Sequence, residues 1–445
     1  MIKLNHARLS HNIRLWRFIM ATKEEYLKYL SDENLLFIEN EYIRIGANLS
    51  LGGALTHLAE IGKENLINNY DWGRQVQMSF YSGPVPHLPE GIQNNPGWDY
   101  IGWNPIQSGD CFRNRSDILD YYQKENEIYI KSVPRHWPLN NCKGECTFEV
   151  WYRLEGKKVM ITSRLNNART DKTQFPARGQ ELPAVYTNAT WYKLVSYVDT
   201  QPFTGGAVRE VCNKENGRGW PWETFYPTES WAALVDDDGY GLGVYNGQTN
   251  RFGGGFYGEK GVRDPIDQNT GYITPSATEI IDHNIVYTYD YALIVGTVDE
   301  IRQEVYGLDN AERRRKFSFQ KDRNHFYYKN ITDKGYGNQD CLDFDFSEGG
   351  VLISPAVFVS KDHKKILIDA IFEGGDISGK ATVDTVRDGV DTRGRFPKSV
   401  DFNLTGDGTR KIHEIDMSEI DSAYVGVTLE FTSEGHAKIY SVEFK

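Results

Sequence analysis

Long hydrophobic runs are missing from this chain of 445 residues, and none approaches the roughly 20 apolar residues that a membrane-crossing helix needs. Cysteine is scarce and odd in number, at Cys111, Cys142, Cys146, Cys212 and Cys341. No C-x-x-C pair occurs, and Cys142 and Cys146 have neither a second pair nor a histidine at finger spacing, which argues against structural zinc. Positive charge is in deficit, with 50 Lys+Arg against 62 Asp+Glu and a formal net charge of -12. Nucleic acid and anionic membranes are held by clustered Lys and Arg, so neither is expected as a partner. Walker, Rossmann, HExxH, G-x-S-x-G and EF-hand signatures are absent, and the glycine-rich stretch 255–261 lacks the strand–helix setting that phosphate binding uses. No cofactor and no metal is expected, and the acidic run Asp236, Asp237, Asp238 reads as a hairpin turn.

Residues 1–20 are basic but hold no apolar core or small-residue cleavage site, so they read as an extension rather than a secretory signal. Together with the odd cysteines, this favours a reducing cytoplasm.

What the chain does have is aromatic surface: 27 Tyr, 21 Phe and 10 Trp, beside a 25% charged share that excludes a disordered protein. Helical signals are confined to 22–31, with Thr22 as cap and Glu25 three residues on, and to 298–316, interrupted by Gly307. The rest reads as strands. Residues 146–154 alternate apolar and polar, turn at Glu155-Gly156 and return through 157–167, which predicts a hairpin. Residues 230–236 and 240–247 repeat the pattern, and 284–296 form a long strand with alternating tyrosines. The expected fold is all-β: a large antiparallel sandwich over 21–305, a linker at 306–335, and a smaller β-sandwich or jelly roll over 336–445.

Polar and aromatic clusters fall between residues 65 and 290. The first brings Asp71, Arg74, Gln75, Gln77 and Tyr81 together, with Gln75 and Gln77 on one strand face. Amide and guanidinium groups read hydroxyls, while aromatic faces stack on sugar rings. An Asp71–Arg74 pair closing a turn is the plainer alternative. The second, in a Gly/Pro-rich loop, holds Trp98, Trp103, Asn104, Gln107 and Asp110. The third places His136 beside Trp137, where a structural histidine is the commoner outcome. The fourth contains Glu181 and Tyr186. The fifth sets Glu223 and Glu229 among Trp220, Trp222, Tyr226 and Trp231, where apolar surroundings would raise a carboxyl pKa towards that of a general acid.

The order of GGALTHL (52–58), DWGRQVQ (71–77) and the hairpin TESWAALVDDDGYGLGVY (228–245) resembles the galactose mutarotase-like supersandwich domain, over roughly residues 33–305. That resemblance implies a carbohydrate-active protein, because aldose epimerases, several glycoside hydrolases and polysaccharide lyases share the fold. Epimerases have a histidine pair and a late glutamate, for which His136 and Glu279 are the only loose counterparts here. The leading expectation is a glycoside hydrolase acting on an oligo- or polysaccharide. Glu223 or Glu229 would be the acid, Asp71, Asp110 or Glu181 its partner, with His136 a further catalytic candidate. A lyase using Arg74 against a uronate, a non-catalytic sugar-binding protein and an epimerase are the alternatives.

Overall fold

The computed structural model describes residues 28–212, 222–261, 268–308, 315–320, 322–334, 340–386 and 396–445. Their architecture follows from alternation. In the strand Cys146–Glu155, Phe148, Val150, Tyr152 and Leu154 are buried while the residues between them are not. Lys158–Asn167 pairs with it antiparallel across a turn at Gly156, whose φ of 59 is open to glycine at little cost. Extended in both directions, this hairpin becomes a nine-stranded sheet running from Arg209–Cys212 through Val286–Thr297 to Asp117–Gln123.

A seven-stranded sheet lies against it. Its order is Glu223–Phe225, Phe252–Tyr257, Thr270–Glu279, Arg178–Asn188, Gln77–Ser79, Pro105–Ile106, Arg135–His136. Phe80, Leu182, Val185, Phe225, Phe252 and Ile273 from this sheet join Phe148, Val150, Tyr289 and Leu293 from the other in one core. The three-stranded sheet of Leu35–Glu39, Ile43–Asn48 and Ala54–Glu60 adds Ile38, Ile45, Leu55 and Leu58 to it. The helix Val298–Leu308 covers the outer face of the larger sheet, packing Ile301 and Val305 on Trp231, Ala233 and Ile294. Of the predicted helix 298–316, residues 309–314 lie outside the described residues, and at its far end Lys316 already belongs to the strand Lys316–Ser318. Of the other predicted helix, 22–31, only its end is described, where Lys28 and Tyr29 are helical.

A second core belongs to the C-terminal strands, from Phe317 to Phe444. Its spine is the 21-residue strand Lys365–Thr385. This strand bends at register shifts between Asp369 and Ala370 and between Glu373 and Gly375. Its first half pairs with Lys411–Asp416 and Gly435–Phe444, and its second half with Pro397–Asp407 and Tyr424–Phe431. Two strands of this sheet, Lys316–Ser318 and Tyr327–Asp333, lie in the stretch read as a linker.

Buried charge joins the two units. Arg323, 1% exposed, donates to Asp282 at 2.6 Å and to Asp333 at 2.7 Å, and Gln174 donates to the same two carboxylates. Beside it, the hydroxyl of Tyr287 and the carboxylate of Glu279 meet Nδ1 of His325 at 2.8 and 3.2 Å. Breaking a buried pair leaves its partners uncompensated in low dielectric, which costs far more than the pair's net contribution. Arg323→Met is therefore expected to destabilise the chain by about 3–5 kcal/mol, measured by urea unfolding.

Candidate functional site

The strand Arg178–Asn188 runs through the middle of the seven-stranded sheet, between Gln77–Ser79 and Thr270–Glu279. Strict alternation would place Leu182 and Tyr186 on one face. A register shift between Glu181 and Val185 resets the pattern, so Leu182 and Val185 are both 0% exposed in the core. Glu181 and Tyr186 turn to the opposite, outer face and are half-buried there.

Glu181 is bound at both oxygens. The Tyr81 hydroxyl donates to Oε2 at 2.8 Å, and the Tyr272 hydroxyl donates to Oε1. Burial, then the Glu181 charge, pushes both tyrosine pKa values well above the usual range, so both hydroxyls keep their protons and remain donors. Tyr272 lies directly across from Tyr186, with ring centroids 4.7 Å apart. The Trp222 ring completes the wall, 4.8 Å from Tyr272 and 6.3 Å from Tyr186, and at 39% exposure it keeps a face to solvent. The Tyr186 hydroxyl is pushed up by burial and by Glu181, with Arg74 opposing and Asp71 adding to the shift. The segment that leads to Asp71 and Arg74 is joined to this strand through its backbone, where the Asn68 amide donates to the Tyr186 carbonyl at 3.0 Å.

Asp71 closes its own turn. Its Oδ1 accepts from the Gly73 amide at 2.8 Å and its Oδ2 lies 3.5 Å from Arg74 Nε, while Arg74 sits 4.7 Å over the Tyr70 ring. The loop carrying Trp98 and Tyr100 is tied to this sheet by Arg178, which donates to the carbonyls of Ile101 at 2.6 Å and Ser82 at 3.2 Å. Gly102 permits that approach: its φ is 68, and a Cβ there would meet Val85, the Pro84 carbonyl and Arg178. Trp98 is 6.0 Å from Trp137, and Trp137 in turn packs beside Gly73.

Glu181, Tyr81, Tyr272 and Trp222 thus come together on the outer face, and the Asp71–Arg74 turn, with Trp137 and Trp98 beside it, follows the segment that Asn68 ties to the same strand. Other expected site residues do not join them. Gln75 and Gln77 are buried and donate to the carbonyls of Asp71 and Trp72. Asn104 donates to Ser79 and the Phe80 carbonyl, and Gln107 is shared between the Met78 amide and the Gly52 carbonyl. Asp110 accepts from the amides of Phe112, Asn114 and Asn141 and from the Asn114 side chain, so it organises a turn. Trp103 is 1% exposed and belongs to the core.

The two glutamates expected to act as acid are placed elsewhere. Glu229 is 0% exposed, and both of its oxygens are occupied by Arg302, Tyr306, Trp231 Nε1 and the Phe203 amide, at 2.8 to 3.2 Å. It is a structural carboxylate. Glu223 pairs with Gly254, whose Cβ direction points at Leu194, so it alternates to the sheet face opposite Trp222. Trp220 lies outside the described residues. His136 is 2% exposed, and its Nδ1 has no hydrogen-bond partner. Among the described residues, no cluster of three or more His, Cys, Asp or Glu is placed to hold a metal, and no helix is long and apolar enough to cross a membrane.

Tyr272 is the site residue that local reading missed. Its signal is the core side chain Ile273, which turns both neighbours to the outer face.

No family model matches the chain, and no curated protein does. Among solved structures, a galactose mutarotase-like protein from Lactobacillus casei aligns at 12% identity and a TM-score of 0.38, covering 59% of this chain and 99% of its own. A galactose mutarotase related enzyme from Lactobacillus acidophilus aligns at 10% identity and 0.37, over 60% and 99%. An alpha-mannosidase from Enterococcus faecalis aligns at 10% and 0.36, over 76% of this chain and 37% of its own.

Burial lowers the His136 pKa from 6.5 to about 3, with His87 and Arg169 adding to the effect. The unfolded chain then binds the extra proton first, so this contribution to stability is complete above about pH 6.5 and falls away towards pH 3. Between pH 7 and pH 5 the wild type is expected to lose about 2 kcal/mol through this group. Urea unfolding of His136→Gln at both pH values should show that portion of the loss removed.

Proposed function

We propose that the chain is a carbohydrate-active enzyme that cleaves glycosidic bonds in an oligo- or polysaccharide on the outer face of the seven-stranded sheet. One observation carries the reading. Glu181 accepts two tyrosine hydroxyls beside the aromatic wall of Trp222, Tyr272 and Tyr186, on a strand face that the core does not use. Aromatic faces stack on the C–H faces of a sugar ring, and a carboxylate held by two neutral donors is oriented to act as nucleophile or base. In this reading Asp71, on the segment whose Asn68 amide donates to the Tyr186 carbonyl, is the partner carboxylate. It replaces Glu223 and Glu229, whose positions deny them a shared substrate.

Product analysis on a panel of aryl glycosides and oligosaccharides tests the assignment. Glu181→Gln keeps the shape of the side chain and is expected to lower kcat by about 100- to 10,000-fold, with an unchanged circular dichroism spectrum. Full turnover in that variant would exclude Glu181. Trp222→Ala is expected to weaken glycan binding by about tenfold, as read by calorimetry, with a smaller change in kcat.

The pairing of Asp71 with Arg74 supports a second reading, sugar binding without cleavage. Binding that is sensitive to Trp222→Ala, with no product after prolonged incubation, would favour it.

A further inference from the structure

Glu181 has neighbours across the sheet as well as along its own strand. It pairs with Ser276, whose amide donates to the Arg251 carbonyl at 2.8 Å, so Glu181, Ser276 and Arg251 form one row. Phe252, next to Arg251, is 0% exposed in the core, which turns Arg251 to the outer face that Glu181 uses. Two strand spacings put their backbones about 10 Å apart. Among the described residues Arg251 makes one side-chain hydrogen bond, from Nη1 to Thr278 Oγ1 at 3.4 Å. Its Nε is buried with no partner. A guanidinium has five donors, and leaving them without acceptors is costly.

The floor beside this row is open. Gly179 pairs with Thr278, is exposed, and has an ordinary strand backbone, and a Cβ there would meet nothing within 4 Å. Neither a turn nor a close protein neighbour calls for glycine at this position. A strand glycine of that kind leaves room for something else to approach the backbone closely. Thr278 and Ser276 add short, half-buried hydroxyl side chains. Along the paired strands the order is Gly179 with Thr278, then Glu181 with Ser276, then Tyr186 with Tyr272. The carboxylate stands between this polar floor and the aromatic wall.

Cleavage between two sugar units needs a carboxylate at the bond that joins them, with one unit to either side. We propose that Arg251, Ser276, Thr278 and the Gly179 backbone form a second sugar subsite, and that the glycan is a neutral chain of two or more units. This rests on the carbohydrate reading of the Glu181 face. One unit stacks on Trp222 and Tyr272, and the next lies over Gly179 with its hydroxyls accepting from Arg251. Arg251 already donates to a neutral hydroxyl at Thr278. An anionic unit over this floor would also face the Glu181 carboxylate and be repelled by it.

Calorimetry on the Glu181→Gln protein, where turnover does not consume the ligand, tests it. Maltose, cellobiose and lactose are set against methyl glucoside, methyl galactoside and methyl glucuronide. At least one disaccharide is expected to bind about tenfold or more tightly than the methyl glycosides. Adding Arg251→Gln should bring that disaccharide to within about threefold of them. Adding Gly179→Val, whose side chain enters open space, should do the same with an unchanged thermal unfolding curve, and serves if Arg251→Gln does not fold. Disaccharides no tighter than methyl glycosides, absence of binding by all of them, a glucuronide that binds tightest, or an advantage that survives either variant would each overturn the inference. Methyl glycoside binding that depends on Trp222, without a disaccharide advantage, would overturn this inference alone. A disaccharide advantage beside a wild type that yields no product would overturn the cleavage reading and leave the subsite standing.

Discussion

The outer face of the seven-stranded sheet depends on a single irregularity. Between Glu181 and Val185 the strand slips its register, and two neighbouring requirements are met at once. Leu182 and Val185 fill the core, and Glu181 and Tyr186 emerge on the other side. In a regular strand one of those pairs would be divided between core and solvent, because a one-residue slip exchanges the faces of everything beyond it. The cross-strand partners then follow. Tyr272 meets Tyr186 by register, Tyr81 reaches Glu181 from just beyond the neighbouring strand Gln77–Ser79, and Trp222 packs against both aromatic rings.

The strands on one side of that slip are short: three residues in Gln77–Ser79 and two each in Pro105–Ile106 and Arg135–His136. Short strands leave backbone groups that no ladder satisfies, and buried ones need partners. Amide side chains supply them here. Gln77, Asn104 and Gln107 hold the carbonyls and amides of Trp72, Phe80, Met78 and Gly52. The polarity that looks suited to reading sugar hydroxyls instead replaces missing sheet.

This explains what was legible in the sequence and what was not. The all-β architecture was, because Phe148, Val150, Tyr152 and Leu154 repeat at period two before a glycine turn. The Asp71–Arg74 turn and the aromatic character of the Trp222 segment were local enough to see. The fate of Glu229 was not, since its partners Arg302 and Tyr306 arrive from a helix more than 70 residues further along. Trp103 sits in a glycine-rich loop yet is sealed by packing that involves Arg169. The strands Lys316–Ser318 and Tyr327–Asp333 are short or mostly polar, so a periodicity test passes over them, and only their pairing partners reveal them.

Gln174, which bridges Asp282 and Asp333 across the junction of the two units, immediately precedes Phe175 in the chain. The backbone amide of Arg169 is held by the carbonyl of His283, next to Asp282. The C-terminal module is thereby a buttress: it braces the segment from which the Arg169 side chain and the neighbouring Phe175 ring project. Trimming the protein back to the larger sandwich would leave that segment without its abutment, so the second module belongs to the architecture of the first rather than hanging from it as an appendage.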